Sequence, residues 1–160
     1  MEQGLAPIYN QQTEILILGS APSQISLKKK QYYGNNGNQF WKILFEYFDI
    51  PLSTDYNLRV EELLKHHLGL WDVYASFNRA GSLDSSFKET QLNDFQKLRK
   101  ATPHLRLIVA NGQKAYNEIL AHDLFPDLPV VSCHSTSGAN NGNAVARKAQ
   151  WFEVLRRKFA

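Results

Sequence analysis

The chain has 160 residues, one cysteine, a net charge of +3 and a pI near 9.0. A single domain of residues 1–160 is long enough to bury a core without staples. The lone Cys133 excludes an internal disulfide framework, a cysteine-ligated iron–sulfur cluster and a cysteine-rich zinc site.

The charge leans only mildly towards polyanions, and no apolar run approaches membrane length. Met1 is followed by polar, Pro-containing sequence instead of a signal peptide, so a soluble cytoplasmic protein is expected. Pro7 keeps the lead-in irregular. Glu14-Ile15-Leu16-Ile17-Leu18 is a short unbroken apolar run ending at Gly19-Ser20, the pattern of a buried parallel strand meeting its loop. In Gly19-Ser20-Ala21-Pro22-Ser23 a ligand can come close to the backbone; Lys28-Lys29-Lys30 reads as a solvated face. Tyr32-Tyr33-Gly34-Asn35-Asn36-Gly37 is a polar loop after aromatics. From Asn38 the pattern changes: Phe40, Trp41, Leu44, Phe45 and Phe48 predict a helix over residues 38–48. An amide and a ring in its first turn suit a pocket for a flat, hydrogen-bonding ligand. The plainer reading of the same residues is a helix cap at Asn38 and ordinary core at Phe40 and Trp41.

Val60, Leu63 and Leu64 predict a short helix up to Lys65. His66 and His67 are adjacent, without helix-face spacing or a carboxylate cluster, so solvated surface fits them better than a metal. Residues 69–74 form the second strand candidate, and residues 77–84, rich in polar and turn residues around Arg79, a loop. Leu92, Phe95, Leu98 and Ala101 predict an amphipathic helix closed by Pro103. A third strand over residues 105–110 lands on Asn111-Gly112, and Ala115, Tyr116, Ile119 and Leu120 make the next helix. A fourth strand at 128–131 runs into Ser132-Cys133-His134-Ser135-Thr136-Ser137-Gly138-Ala139-Asn140. The last helix, residues 144–159, carries a basic surface of Arg147, Lys148, Arg156, Arg157 and Lys158.

Short apolar strands alternating with amphipathic helices give a parallel sheet covered on both faces, and ligands of such sheets bind beyond the carboxyl ends of the strands. The loops there contain neither a Walker A motif nor a GxGxxG fingerprint. A Ser–His–Asp arrangement from Ser20 or Ser135 with His134 lacks a nucleophile elbow. What remains is amides, hydroxyls and small residues near an aromatic. Such a set can hold phosphates and read a base edge with an Asn side chain. Plainer roles stand beside these: Asn111 as a turn residue before Gly112, and Ser135 to Ser137 as a capping cluster.

These stretches together resemble the uracil-DNA glycosylase superfamily, nearest its hypoxanthine (deoxyinosine) branch. The resemblance rests on Gly4-Leu-Ala-Pro-Ile8, Ile15-Leu-Ile-Leu-Gly-Ser-Ala-Pro-Ser23, Tyr32-Tyr-Gly through Asn38-Gln-Phe-Trp41, Trp71-Asp72, Arg79-Ala-Gly-Ser-Leu-Asp84, Asn111-Gly112 and Ser135-Thr-Ser-Gly-Ala-Asn140. It implies a three-layer α/β/α sandwich on a four-stranded parallel sheet, acting on DNA as a monomer without cofactor or metal. By the same resemblance Asn38 and Asn111 are the catalytic amides. The base is expected against Gly19, Ser20, Ala21, Tyr33, Phe40 and Asn111, with Phe40 as the stacking ring. The DNA backbone is expected against Ser23, Ser135, Thr136, Ser137 and Asn140. An amide has no useful pKa, so Asn38 orients a water and cannot be a general base. With no lysine placed as nucleophile, a monofunctional glycosylase is expected. Ala21 stands where some uracil-directed relatives carry a catalytic Asn or Asp. Asn36-Gly37 stands where the family has His-Pro, and His134 and Gly138 where it has Pro. A uracil or mismatch-thymine glycosylase, a non-catalytic nucleic-acid binder and a nucleotide-handling protein are the alternatives.

Overall fold

An unbroken Ile/Leu run settles into a strand only where both of its faces are covered, and Ile15, Leu16, Ile17 and Leu18 are all fully buried. The computed structural model describes residues 1–79 and 87–157. It opens with β1 (Glu2–Gln3), β2 (Ile15–Gly19), α1 (Gln24–Lys29), α2 (Phe40–Phe48) and α3 (Tyr56–Lys65). Next come β3 (Leu68–Asp72), β4 (Tyr74–Arg79), β5 (Phe87–Leu92), α4 (Gln96–Ala101) and β6 (Leu107–Asn111). The chain continues through α5 (Gln113–Ala121), β7 (Val130–Cys133), a 3₁₀ turn (Gly138–Asn143) and α6 (Ala144–Arg156).

A four-stranded sheet runs β3-β2-β6-β7 with every pairing parallel. Successive side chains of β2 point to opposite faces and so seed two cores. Ile15 and Ile17 meet Phe40, Leu44, Trp151 and Leu155 of α2 and α6. Leu16 and Leu18 meet Leu98, Ala115, Ile119 and Phe125 around α4 and α5. The result is the expected α/β/α sandwich. Because the strands are parallel, Gly19, Asp72, Asn111 and Cys133 finish at one edge of the sheet.

Several boundaries differ from expectation. The chain leaves the parallel sheet at Val73, and β4 pairs antiparallel with both β1 and β5 in a second sheet of order β1-β4-β5. Residues 77–79, expected as loop, are therefore strand. The charge of Arg79 is met by the Glu2 carboxylate at 3.9 Å, by the Pro22 carbonyl and by the faces of Phe77 and Phe87 at 4.8 and 5.4 Å. Leu92 closes β5 instead of opening a helix, and β7 begins only after Pro129, which has no N–H to give a ladder. Ala80 to Asp84 of the resembling Arg79 stretch lie outside the described residues, as do Lys158 and Phe159. No helix among the described residues is long and apolar enough to cross a membrane.

Candidate active site

The strand ends open into a cavity of about 680 Å³. Its walls are the Gly19–Ser23 loop, Tyr32, Tyr33, Asn38, Asp72, Asn111 and the loop from Ser132 to Asn140. The sequence-expected residues thus converge on one place, with Phe40 as the exception. Phe40 is fully buried and does not border the cavity. Tyr33 does, stacked on Phe40 with ring centroids 4.1 Å apart and an interplanar angle of 25°. The ring that borders the cavity is therefore Tyr33, backed by Phe40. The reason lies in the helix: Phe40 falls on the same stripe as Leu44, which packs into the core, whereas Tyr33 lies in a loop. Tyr33 adopts a left-handed backbone, φ 53°, a costly conformation for a bulky residue. Its hydroxyl is buried beside Asn111 without good hydrogen-bond geometry. Burial, then the negative charge of Asp72, raises the phenol's pKa above its ordinary value, while Asn111 pulls it back slightly.

Asn38 borders the cavity one residue before Gln39, the N-cap of α2. Its Oδ1 accepts from Phe40 N–H at 2.9 Å, and among the described residues its Nδ2 has no partner. One lone pair and two N–H groups remain on the cavity side. Asn111 is held more tightly. Its Oδ1 accepts from Thr136 N–H and its Nδ2 donates to Thr136 Oγ1, both at 3.0 Å. A backbone N–H can only donate, so this pair fixes which end of the amide is oxygen. One Nδ2 proton is left for a ligand.

Thr136, expected at the DNA backbone, is engaged by this pair. It is 1% exposed, and its carbonyl also accepts from Gln39 N–H at 2.9 Å. It pins the β6 tip, the entry to α2 and the following loop to one another. Ser23 is a cap as well, its Oγ accepting from Ser26 N–H and bonding Ser26 Oγ at 3.1 Å. Ser135 Oγ accepts from Ser137 N–H and Ser137 Oγ from Ala139 N–H, each at 3.2 Å. The Asn140 amide turns inward to the Ser135 carbonyl at 3.1 Å. The capping reading of this loop is thus seen directly, and both hydroxyl protons stay available to a ligand.

Two small residues are dictated by contact. A Cβ on Gly19 would lie 2.8 Å from Asp72 Oδ1, and one on Gly138 would lie 2.9 Å from the Gly37 carbonyl oxygen. Gly37 and Gly138, both departures from the family pattern, therefore touch each other, and Gly138 borders the cavity. Ser20 is 8% exposed and Ala21 half-buried, both on the wall. Cys133 is buried and its thiol pKa is pushed up to about 12, chiefly by that burial, so it offers no thiolate. No lysine borders the cavity among the described residues.

A family model, that of the uracil DNA glycosylase superfamily, matches residues 6–159. The chain belongs to that superfamily. A hypoxanthine DNA glycosylase from Methanosarcina barkeri (strain Fusaro / DSM 804) is 38% identical over 159 residues, covering 98% of this chain and 99% of the relative. One of the same name from Methanosarcina acetivorans is 38% identical over 158 residues, with 98% and 99% covered. The solution NMR structure of a candidate uracil DNA glycosylase from Methanosarcina acetivorans superposes with a TM-score of 0.87 at 36% identity, covering 99% of this chain and 98% of that one.

In this superfamily member, Asp72 lines the cavity and Arg147 bonds the loop that borders it, and neither was among the residues expected at the site. Asp72 carries a detectable signal, an acid at the carboxyl end of a strand, and is 3% exposed in the cavity wall. Arg147 carries none. It was expected on the basic surface of the last helix, yet it is 2% exposed.

Proposed function

We propose that this chain is a monofunctional DNA glycosylase that hydrolyses the N-glycosidic bond of a deaminated base, hypoxanthine first, flipped out of DNA. The observation that carries the reading is the cavity at the strand ends, in which the Asn38 and Asn111 amides share a wall with the Tyr33–Phe40 stack. The names of the Methanosarcina relatives support the choice of base.

Flipping a nucleotide costs a few kcal/mol, least at a mismatched or damaged site. Stacking on Tyr33 returns about 1–3 kcal/mol of it. The free Nδ2 proton of Asn111 donates to an acceptor on the base edge, its direction set by the Thr136 pair. As the glycosidic bond stretches, negative charge grows on the departing base. Fixed donors, the Asn111 amide and backbone N–H groups of the Gly19–Ser23 loop, stabilise that charge without reorganising. The Asn38 amide orients the attacking water through its remaining lone pair and N–H groups. A wall without lysine supports water, not an enzyme amine, as the nucleophile, leaving an abasic site and an intact strand.

The test is base release from duplexes containing hypoxanthine, xanthine, uracil or mismatched thymine, with DNA binding measured in parallel. Hypoxanthine is expected to leave fastest, and Asn38→Ala to abolish release while retaining fold and affinity. Binding without release of any base would leave a non-catalytic nucleic-acid binder. Faster release of uracil or thymine would change the substrate, and free nucleotide competing as well as DNA would remove DNA as the partner.

A further inference from the structure

The Arg147 guanidinium donates from Nη1 to the carbonyls of Ser135, Ser137 and Asn140 at 3.2, 3.3 and 3.4 Å, and from Nη2 to Asn141 Oδ1 at 3.1 Å. Among the described residues no carboxylate pairs with it. Buried charges are usually paired, and a guanidinium does not shed its proton. A full positive charge therefore sits directly behind the loop that borders the cavity.

The loop's outer side has the complementary character. Across a trans peptide the N–H points opposite to the C=O. With the Ser137 carbonyl turned to Arg147, the N–H of Gly138 faces away from it. The hydroxyls of Ser135 and Ser137 have already accepted backbone N–H groups, so their protons remain to donate. Ser135, Ser137 and Gly138 all border the cavity. Donors in front and a cation behind match one phosphodiester oxyanion.

We propose that Arg147 is a positioning residue for DNA, which folds residues 135–141 around its guanidinium and lends its unneutralised charge to a backbone phosphate it does not touch. The identity of that phosphate as one in DNA rests on the glycosylase reading above. The loop is thus set by an interior cation, and its affinity for anions comes from inside the fold.

Neutralising the charge in place tests this without removing the arginine. Asn141 is exposed and already bonds the guanidinium, so Asn141→Asp sets a carboxylate against it. Gly142→Asp adds the same charge one residue further along, where an added Cβ meets nothing within 4 Å, and serves as the control. Binding to a hypoxanthine-containing duplex is measured by fluorescence anisotropy across salt concentrations, with single-turnover base release and thermal melting alongside. Asn141→Asp is expected to weaken binding about tenfold and Gly142→Asp less than about threefold. The change should appear in KM, with kcat held within about twofold. Arg147→Gln should lose binding similarly and Arg147→Lys recover most of it, with the slope of log Kd against log salt unchanged in both. Equal effects of the two Asp variants, or Arg147→Lys binding as poorly as Arg147→Gln, would overturn the role of the charge. A salt slope reduced by about one in Arg147→Gln would show direct phosphate contact instead. Absence of hypoxanthine release by wild type would fail the glycosylase reading alone, since binding is measured independently of turnover.

Discussion

Adding one methyl group at Gly138 probes how closely its loop and the loop of Gly37 must meet. A Cβ there would lie 2.9, 3.2 and 3.5 Å from the carbonyl oxygen, carbonyl carbon and Cα of Gly37. All three are backbone atoms, so no side chain can swing aside, and the loops must part by about half an ångström to restore contact distance. Overpacking of this kind costs about 1–3 kcal/mol. Both glycines are exposed, so the strands of loop can yield and the lower end, about 1 kcal/mol, applies. For a chain of this length that lowers Tm by about 2–4 °C. The catalytic effect should be larger than the stability effect. Gly37 is next to Asn38, and a displacement of about 1 Å costs about a hundredfold in rate, so half of it predicts a loss of about tenfold in single-turnover base release. Gly37→Ala is the matched control: its Cβ meets Asn35 Oδ1 at 3.5 Å and Gly138 Cα at 3.9 Å, ordinary contacts. The experiment is single-turnover release of hypoxanthine with melting curves for both variants. Gly138→Ala releasing base within twofold of wild type, or Gly37→Ala losing as much, would refute the reasoning.

Thr136→Val keeps the shape but removes the acceptor of Asn111 Nδ2, leaving a part-buried donor at about 1–3 kcal/mol; base release should fall about tenfold, Thr136→Ser should restore it, and failure of the serine to rescue would argue against the pin. Tyr33→Ala removes the stacking surface and should raise the KM for the lesion duplex by about tenfold or more, whereas Phe40→Leu, which leaves Tyr33 in place, should mainly lower Tm; the reverse ranking would return the stacking role to Phe40. Alkaline pH should destabilise the fold, because above about pH 9 the unfolded chain releases protons from Cys133, and above about pH 10 from Tyr32, Tyr33 and Tyr56, that the native state keeps. The native state then binds more protons, so stability falls as pH rises; a Tm constant from pH 8 to 11 would contradict this. Cys133, at 1% exposure with its thiol pKa near 12, should resist iodoacetamide at pH 8 until the protein unfolds.

The parallel sheet was legible because its strands are buried on both faces and so consist of unbroken apolar runs. The second sheet was not. In β4 only Tyr74, Ser76 and Phe77 are buried, and Asn78-Arg79 looks like a turn until Arg79 is seen lying on Phe77 and Phe87 and bonding Pro22. At the site, the amides were legible because a strand end followed by Asn-Gly and a loop followed by Asn and a helical stripe are local patterns. That Tyr33 and not Phe40 borders the cavity was not, although one signal pointed that way. Phe40 continues the apolar stripe of α2, and a residue on that stripe belongs to the core before it belongs to a pocket. Thr136 and Arg147 depend on chain segments more than 20 residues away or on burial, and neither leaves a mark in local sequence.

Arg79 and Arg147 act on the site in a related way. Each has a buried side chain that donates to carbonyls of a strand-end loop, Arg79, which also faces the Glu2 carboxylate at 3.9 Å, to Pro22 and Arg147 to Ser135, Ser137 and Asn140. A loop whose carbonyls are drawn inward must turn the alternate N–H groups outward, so an interior arginine sets both the loop's shape and the sign of its outer face. This reconciles a net charge of only +3 with a phosphate-bearing substrate. Surface lysines would hold any polyanion and would be screened over about 10 Å in 0.1 M salt. A cation enclosed in protein is screened less and acts only on what reaches the loop. In the proposal for Arg147, affinity is thereby concentrated at the loop that borders the cavity instead of being spread over the surface.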